Sequence, residues 1–77
     1  MIKVYSTSFC PYCESLKAFL KERSIEFVNI DVSRDLEAQR EMIEKSNQMG
    51  VPVIEINGQI IVGFDRDKIL ELLNIKE

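Results

Sequence analysis

The period of the apolar positions changes repeatedly along the chain, and each change marks an element. Ile2-Lys3-Val4-Tyr5 alternates and is rich in β-branched and aromatic side chains, which predicts a first strand that the polar Ser6-Thr7-Ser8 ends. From Pro11 onward Tyr12, Leu16, Phe19 and Leu20 recur at helical spacing, while Glu14, Lys17, Lys21 and Glu22 fall on other faces. Pro11 suits the first helical position, because its fixed φ is already helical and its missing N–H would be orphaned there. Glu26-Phe27-Val28-Asn29-Ile30 alternates again as a second strand, and the intervening helix is long enough for a parallel crossover. Ser33 can cap a second helix with Asp35 and Glu37 near its positive end and Leu36, Met42 and Ile43 as its apolar stripe. Val53–Ile56 and Gln59–Val62 flank Asn57-Gly58, the pair best able to take two consecutive positive φ angles in a type I′ hairpin. Asp65 can cap a last helix whose buried stripe is Ile69, Leu72 and Leu73. The order is β-α-β-α-β-β-α, an α/β chain without repeats or low-complexity segments.

At 77 residues, 1–77 is expected to be one domain, since chains divide only well above that size. Its core is thin, because apolar burial at this length barely exceeds the entropy of ordering the chain. A hydrophobic share of 45% beside 30% charged residues is the balance of an ordinary soluble globular protein. The net charge of −3 and the absence of a Lys/Arg cluster argue against nucleic acid as a partner. Residues 1–10 hold no continuous apolar segment of the kind a signal peptide or a membrane span requires. The expectation is therefore a cytoplasmic protein with no membrane partner. There thiols are kept reduced, and a pair of cysteines is more often catalytic or metal-binding than a structural staple.

Both cysteines fall in one C-x-x-C, Cys10-Pro11-Tyr12-Cys13, where a strand gives way to a helix inside a βαβ unit. Position carries more information than spacing. Cys10 would lie at the helix start, where free amide N–H groups and the helix dipole favour an anion, with Cys13 about one turn further in. A thiol of pKa roughly 8.5 is only about 3% ionised at pH 7, and lowering that pKa by about three units takes about 4 kcal/mol. The dipole supplies typically ~0.3–1 and at most about 2 kcal/mol. The remainder falls to charge-assisted hydrogen bonds from the Tyr12 and Cys13 amides and the Cys13 thiol. Cys10 then attacks a disulfide, and Cys13 displaces the product to leave the two cysteines oxidised. With no histidine in the chain, Cys/His acyl-transfer chemistry lacks its base. A structural zinc site needs four ligands, and two cysteines without histidine could close one only across a dimer or with carboxylates. A purely structural thiol pair would leave the Pro11 start and the strand-to-helix position unexplained.

These residues resemble the glutaredoxins over nearly the whole chain: Cys10-Pro11-Tyr12-Cys13 after the first strand, Val51-Pro52 before the third, and Gly63-Phe64-Asp65 before the last helix. The resemblance implies a minimal thioredoxin fold, a four-stranded mixed sheet flanked by three helices. It implies a thiol–disulfide oxidoreductase with Cys10 and Cys13 catalytic, reducing protein disulfides and glutathione mixed disulfides, with glutathione as reductant and no bound cofactor. Pro52 is then expected to be cis and to face Cys10, and Val51 to pair its backbone with an extended substrate, a sequence-tolerant mode of recognition. Phe64 and Asp65 would hold the γ-glutamyl end of glutathione, and Tyr12 either flanks the bound peptide or lies exposed over the helix start. Asp65 has a plain second role as a helix cap.

Three departures bear on that reading. Many glutaredoxins carry a Lys shortly before the first Cys, which helps to hold the glycyl carboxylate of glutathione, where this chain has Ser6-Thr7-Ser8-Phe9. The usual Gly-Gly is Val62-Gly63, and the usual Asp-Asp is Asp65-Arg66. Gly63-Phe64 is similar instead to the glutaredoxin-like redoxins that take electrons from thioredoxin reductase and feed ribonucleotide reductase, which joins the candidate protein partners. Lys3 and Gln48 are the candidates to compensate for the missing charge. A third reading is iron–sulfur carriage, in which two chains and two glutathiones supply four thiolates; the rigid Pro11 counts against it. The expected species in solution is a monomer.

Overall fold

The computed structural model describes residues 1–75. Its elements follow in the order β1 (Ile2–Ser6), α1 (Pro11–Glu22), β2 (Val28–Asp31), α2 (Leu36–Ser46), β3 (Val53–Ile56), β4 (Gln59–Val62) and α3 (Arg66–Leu72). The strands form one sheet in the order β2-β1-β3-β4, with β2 parallel to β1 and the other neighbours antiparallel. This is the mixed sheet with three helices expected from the sequence.

Alternation along the strands divides the core in two. Val4, Ile54, Ile56 and Ile61 face Leu16, Phe19 and Leu20 of α1 and Ile69 of α3. Tyr5 and Val53 face the other way, against Ala38 and Met42 of α2 and against Val32. Tyr5 is fully buried, and its hydroxyl donates to Glu41 Oε1 at 2.8 Å. Lys45 Nζ then joins Glu41, at 2.8 Å, to Glu55, at 2.6 Å. The polar tip of a buried ring is thereby satisfied at the sheet surface, as burial of a phenol requires.

Helices α1 and α3 end by the same device. Ser24 and Asn74 adopt left-handed φ values of 56° and 59°. The next amides, of Ile25 and Ile75, donate to Leu20 O and Leu70 O at 2.9 and 3.0 Å, which satisfies helix-end carbonyls that have no partner inside the helix. Ile25 and Phe27 thus pack against the core beneath α1. The second strand accordingly begins at Val28, two residues later than the alternation from Glu26 predicts.

Two further expectations are corrected. Asp35, not Ser33, caps α2, its carboxylate accepting from Ala38 N at 3.1 Å, while Ser33 N donates to Asp31 Oδ1 at 2.9 Å. The buried pair of α2 is Ala38 and Met42, stacked four residues apart, and Leu36, two residues or roughly 200° from Ala38, is 71% exposed. In α1 the buried positions are Cys13, Leu16, Phe19 and Leu20, so that Cys13 rather than Tyr12 opens the apolar stripe. A cysteine sulfur can be buried there without a hydrogen bond, whereas a phenol would need its hydroxyl bonded.

The hairpin is as predicted: Asn57 and Gly58 have φ of 48° and 89°, and Ile56 pairs with Gln59. Asp65 caps α3 and accepts from Lys68 N at 3.2 Å. Among the described residues no helix is long and apolar enough to cross a membrane.

Candidate active site

Register places the predicted site residues at one end of the sheet. Tyr5 pairs with Val53 and Val53 with Val62, so the ends of β1 and β4 and the start of β3 coincide. Cys10 lies four residues beyond the end of β1, Pro52 directly precedes β3, and Gly63 directly follows β4. Gly63, at φ 82°, donates its N–H to Pro52 O at 2.8 Å and ties the last two segments together. The Val51-Pro52 bond is cis, as expected.

Cys10 is itself the cap of α1. Its backbone is extended, at φ −136° and ψ 100°, and its sulfur accepts the N–H of Cys13 at 3.1 Å. Its carbonyl accepts from Glu14 N at 3.1 Å, closing the first turn across Pro11, which occupies the first helical position. Cys10 and Cys13 are joined in a disulfide with Cα atoms 5.1 Å apart. Both residues are buried, but unequally: Cys10 retains 9% exposure and Cys13 none.

The loop from Ser6 to Cys10 is stitched to the end of β2. Ser6 Oγ, almost fully buried, donates to Asn29 Oδ1 at 2.7 Å, and Ser8 Oγ donates to Asp31 Oδ2 at 3.3 Å. Asp31 is held below the ordinary carboxylate range, first by the Ser33 hydroxyl and then by the Ser33 and Ser8 donors and Arg34. An ionised carboxylate therefore anchors the residue two places before Cys10.

Neither candidate for the missing positive charge reaches the dithiol. Lys3 pairs with Glu41 at 3.9 Å on the α2 side of the sheet. Gln48 is taken up by its own turn, donating to Ser46 Oγ and Gly50 O at 3.1 and 3.0 Å and accepting from Gly50 N at 2.6 Å. Lys17 pairs with Glu14 at 2.9 Å along α1.

The remaining predicted residues divide between surface and core. Tyr12, the second residue of α1, is 71% exposed. Pro52 is fully buried, and Val51 is half-buried against the Tyr5 side of the core. The Phe64 ring meets Phe19 edge-on with centroids 5.5 Å apart, and Arg23 covers Phe19 at 3.9 Å. The Phe64 side chain is partly buried and packs against the core cluster of α1 and α3. Sequence reasoning passed over Phe9, which is 96% exposed beside Cys10, and Met49, 71% exposed in the loop leading to Pro52. A signal for Phe9 existed: it is the one large apolar residue of a polar loop, outside every periodic run. A groove of about 830 Å³ lined by Met1, Ile2, Lys17, Lys21 and Phe27 among others lies toward the opposite end of β1 and includes none of these residues.

Comparison with known proteins agrees with this geometry. Residues 2–61 match the family model described as Glutaredoxin. An uncharacterized glutaredoxin-like 8.6 kDa protein in the rubredoxin operon of Clostridium pasteurianum is 48% identical over 73 residues, covering 95% of this chain and 97% of the relative. Among solved structures, a variant of the thioredoxin-like protein BC3987 superposes with a TM-score of 0.92 at 32% identity, covering 97% of this chain and 96% of the other. NrdH-redoxin from Escherichia coli, a glutaredoxin-like protein with a thioredoxin-like activity profile, superposes with a TM-score of 0.80 at 28% identity, covering 92% of each chain.

Proposed function

The chain belongs to the glutaredoxin family, and from that premise we propose that it reduces disulfides of proteins and glutathione mixed disulfides through Cys10 and Cys13, with glutathione as the reductant. The observation that carries the reading is the asymmetry of the pair: a helix-capping sulfur hydrogen-bonded to an amide, in a residue that keeps 9% exposure, joined to a fully buried partner one turn away. In the reduced protein the Cys10 thiolate attacks one sulfur of a substrate disulfide and releases the other as a thiolate, which takes up a proton. Cys13 then attacks the Cys10 sulfur, releases the second substrate thiol and leaves the Cys10–Cys13 disulfide. Two electrons pass from the protein to the substrate, and two glutathiones restore the dithiol as they become glutathione disulfide. Val51, beside the cis Pro52, supports the bound peptide through its backbone, and Phe64 and Asp65 meet the γ-glutamyl end of glutathione at the start of α3.

A second reading changes only the electron donor, from glutathione to a flavoprotein reductase of the thioredoxin reductase kind. It is favoured by the engagement of Lys3, Lys17 and Gln48 away from the dithiol and by the likeness to NrdH-redoxin. The test is a donor comparison. Turnover of a glutathione mixed disulfide with glutathione and glutathione reductase supports the first reading. Turnover with thioredoxin reductase alone overturns it in favour of the second, and reduction that survives Cys10→Ser overturns both.

A further inference from the structure

The groove toward the far end of β1 combines an open strand edge with a pair of cations. β2 is an outer strand of the sheet and pairs with β1 alone. Val32 N donates to Ser6 O at 2.9 Å, so by the two-residue period of a ladder Val28 and Ile30 also turn their amides toward β1. Asn29 then directs its N–H and C=O outward and Asp31 its N–H, the start of a row that a further strand can use. Between this edge and α1 lies the groove of about 830 Å³. Ile2, Ile25 and Phe27 give it apolar walls, Lys17 and Lys21 line it from α1, and Glu26 is the acid among its lining residues. Lys17 pairs with Glu14 at 2.9 Å, whereas Lys21 forms no ion pair among the described residues. In a chain of net charge −3 the charged lining is thus positive on balance.

We propose that the free edge of β2 accepts an added strand from a partner protein, an extended segment with acidic side chains at alternate positions and an apolar residue between them. Main-chain hydrogen bonds to the edge supply affinity in such a complex, and alternate side chains supply selectivity. The spacing fits. Lys17 and Lys21 lie one turn apart, about 6 Å along α1, and alternate residues of a strand are about 6.6–6.8 Å apart. The helix is the crossover between two parallel strands and therefore runs back along β2, so two carboxylates on one face of an added strand meet both ammonium groups. Asn29 pairs with Val4, which faces α1, and Val28 lies on the opposite face of the sheet, 49% exposed. The residue between the two acids falls beside Val28, where an aliphatic side chain covers it. The site needs no cysteine in the partner and stands whether or not the reductase reading does.

The test uses the full chain in its oxidised form and two capped, fluorescent peptides without cysteine, Glu-Val-Glu-Val-Glu and Ser-Val-Ser-Val-Ser. In fluorescence anisotropy the acidic peptide is expected to bind about fivefold tighter, a difference of about 1 kcal/mol, and the preference is expected to shrink as salt is added. Lys21→Gln is expected to bring the ratio close to one, and Lys17→Gln to lower it less, because Lys17 already has Glu14. Amide hydrogen exchange reads the strand itself: the acidic peptide is expected to slow exchange at Asn29 and Asp31, whose N–H groups point outward. Absence of binding, a wild-type ratio near one, a ratio that Lys21→Gln leaves unchanged, or unprotected amides at 29 and 31 each overturn the proposal. Octanoate, an acid with an apolar tail and no backbone to pair, is the control. If it binds in the groove and the peptides do not, the groove holds a small amphiphile and strand addition is overturned. A concentration-dependent dimer in sedimentation that protects the same two amides without peptide also overturns it, because a second copy then covers the edge.

Discussion

Asp65 combines a structural role with a proposed ligand role, and two substitutions separate them. Its carboxylate accepts Lys68 N at 3.2 Å and caps α3, whose buried residue Ile69 belongs to the core beneath α1. Replacing such a cap by Ala lowers stability by about 1 kcal/mol, within a range of roughly 0.5–2. At about 0.05–0.15 kcal/mol per residue the 77-residue chain has only roughly 4–12 kcal/mol in all, and ~1 kcal/mol corresponds to a Tm shift of about 4–8 °C. Asp65→Ala is therefore expected to melt several degrees lower. Asp65→Ser, which retains an oxygen acceptor but no charge, is expected to stay within a degree or two of the wild type. The ligand role separates differently, because an ammonium group of glutathione needs the carboxylate itself. A hydrogen bond to a charged group contributes about 1.5–3 kcal/mol, so both variants should raise the KM for glutathione at least about tenfold. Thermal unfolding of the oxidised protein by circular dichroism reads the first effect, and the glutathione-reductase-coupled assay reads the second. If Ser is as destabilising as Ala, the capping argument is wrong. If neither variant changes the KM, Asp65 has no part in holding glutathione.

Cys13→Ser should leave Cys10 able to attack but unable to be displaced from within, so intact-mass analysis after exposure to glutathione disulfide should find one glutathione per chain; an unmodified protein counts against Cys10 as the attacking sulfur. Glu41 is held below its ordinary 4.5, first by the hydrogen bond from Lys45 and then by that from Tyr5. A depressed folded-state pKa contributes stability that is present above the unfolded value and is lost as pH falls through the folded one. Urea midpoints of the wild type should therefore drop more steeply below about pH 4.5 than those of Glu41→Gln, and parallel curves would refute this. Gly58→Ala meets no atom within 4 Å of the added carbon but must hold φ near 89°, so it should lower stability by about 1 kcal/mol through backbone strain alone; an unchanged melting temperature would show that the turn relaxes.

The sequence is legible where the physics is local. Asn57-Gly58 dictates its own turn, Pro11 sets the start of α1, and Asp65 caps α3, because each depends on dihedral preferences or on an acceptor within three residues. The sequence is ambiguous where two local solutions compete. Ser33 and Asp35 are both good caps, and the choice between them turns on Asp31, which engages Ser33. Glu26 and Phe27 alternate like a strand, but the end of α1 draws Ile25 and Phe27 into the core before pairing with β1 begins. Tyr12 has the right spacing for the stripe of α1, yet Cys13 opens it, because a cysteine sulfur can be buried there without a hydrogen bond and a phenol cannot.

The order of elements, the hairpin, and the placing of two cysteines where a strand turns into a helix were thus determined by the amino-acid sequence. Tertiary structure decided which segments meet. Pairing of Tyr5 with Val53 and Val53 with Val62 brings Cys10, Pro52 and Gly63 to one end of the sheet. The same packing buries Cys13 completely, leaves Cys10 9% exposed and Phe9 and Tyr12 at the surface, and draws Lys3 and Gln48 into contacts elsewhere. The physical reason is range: capping and turn preferences act over a few residues, whereas exposure and charge environment are sums over side chains that only the folded sheet assembles.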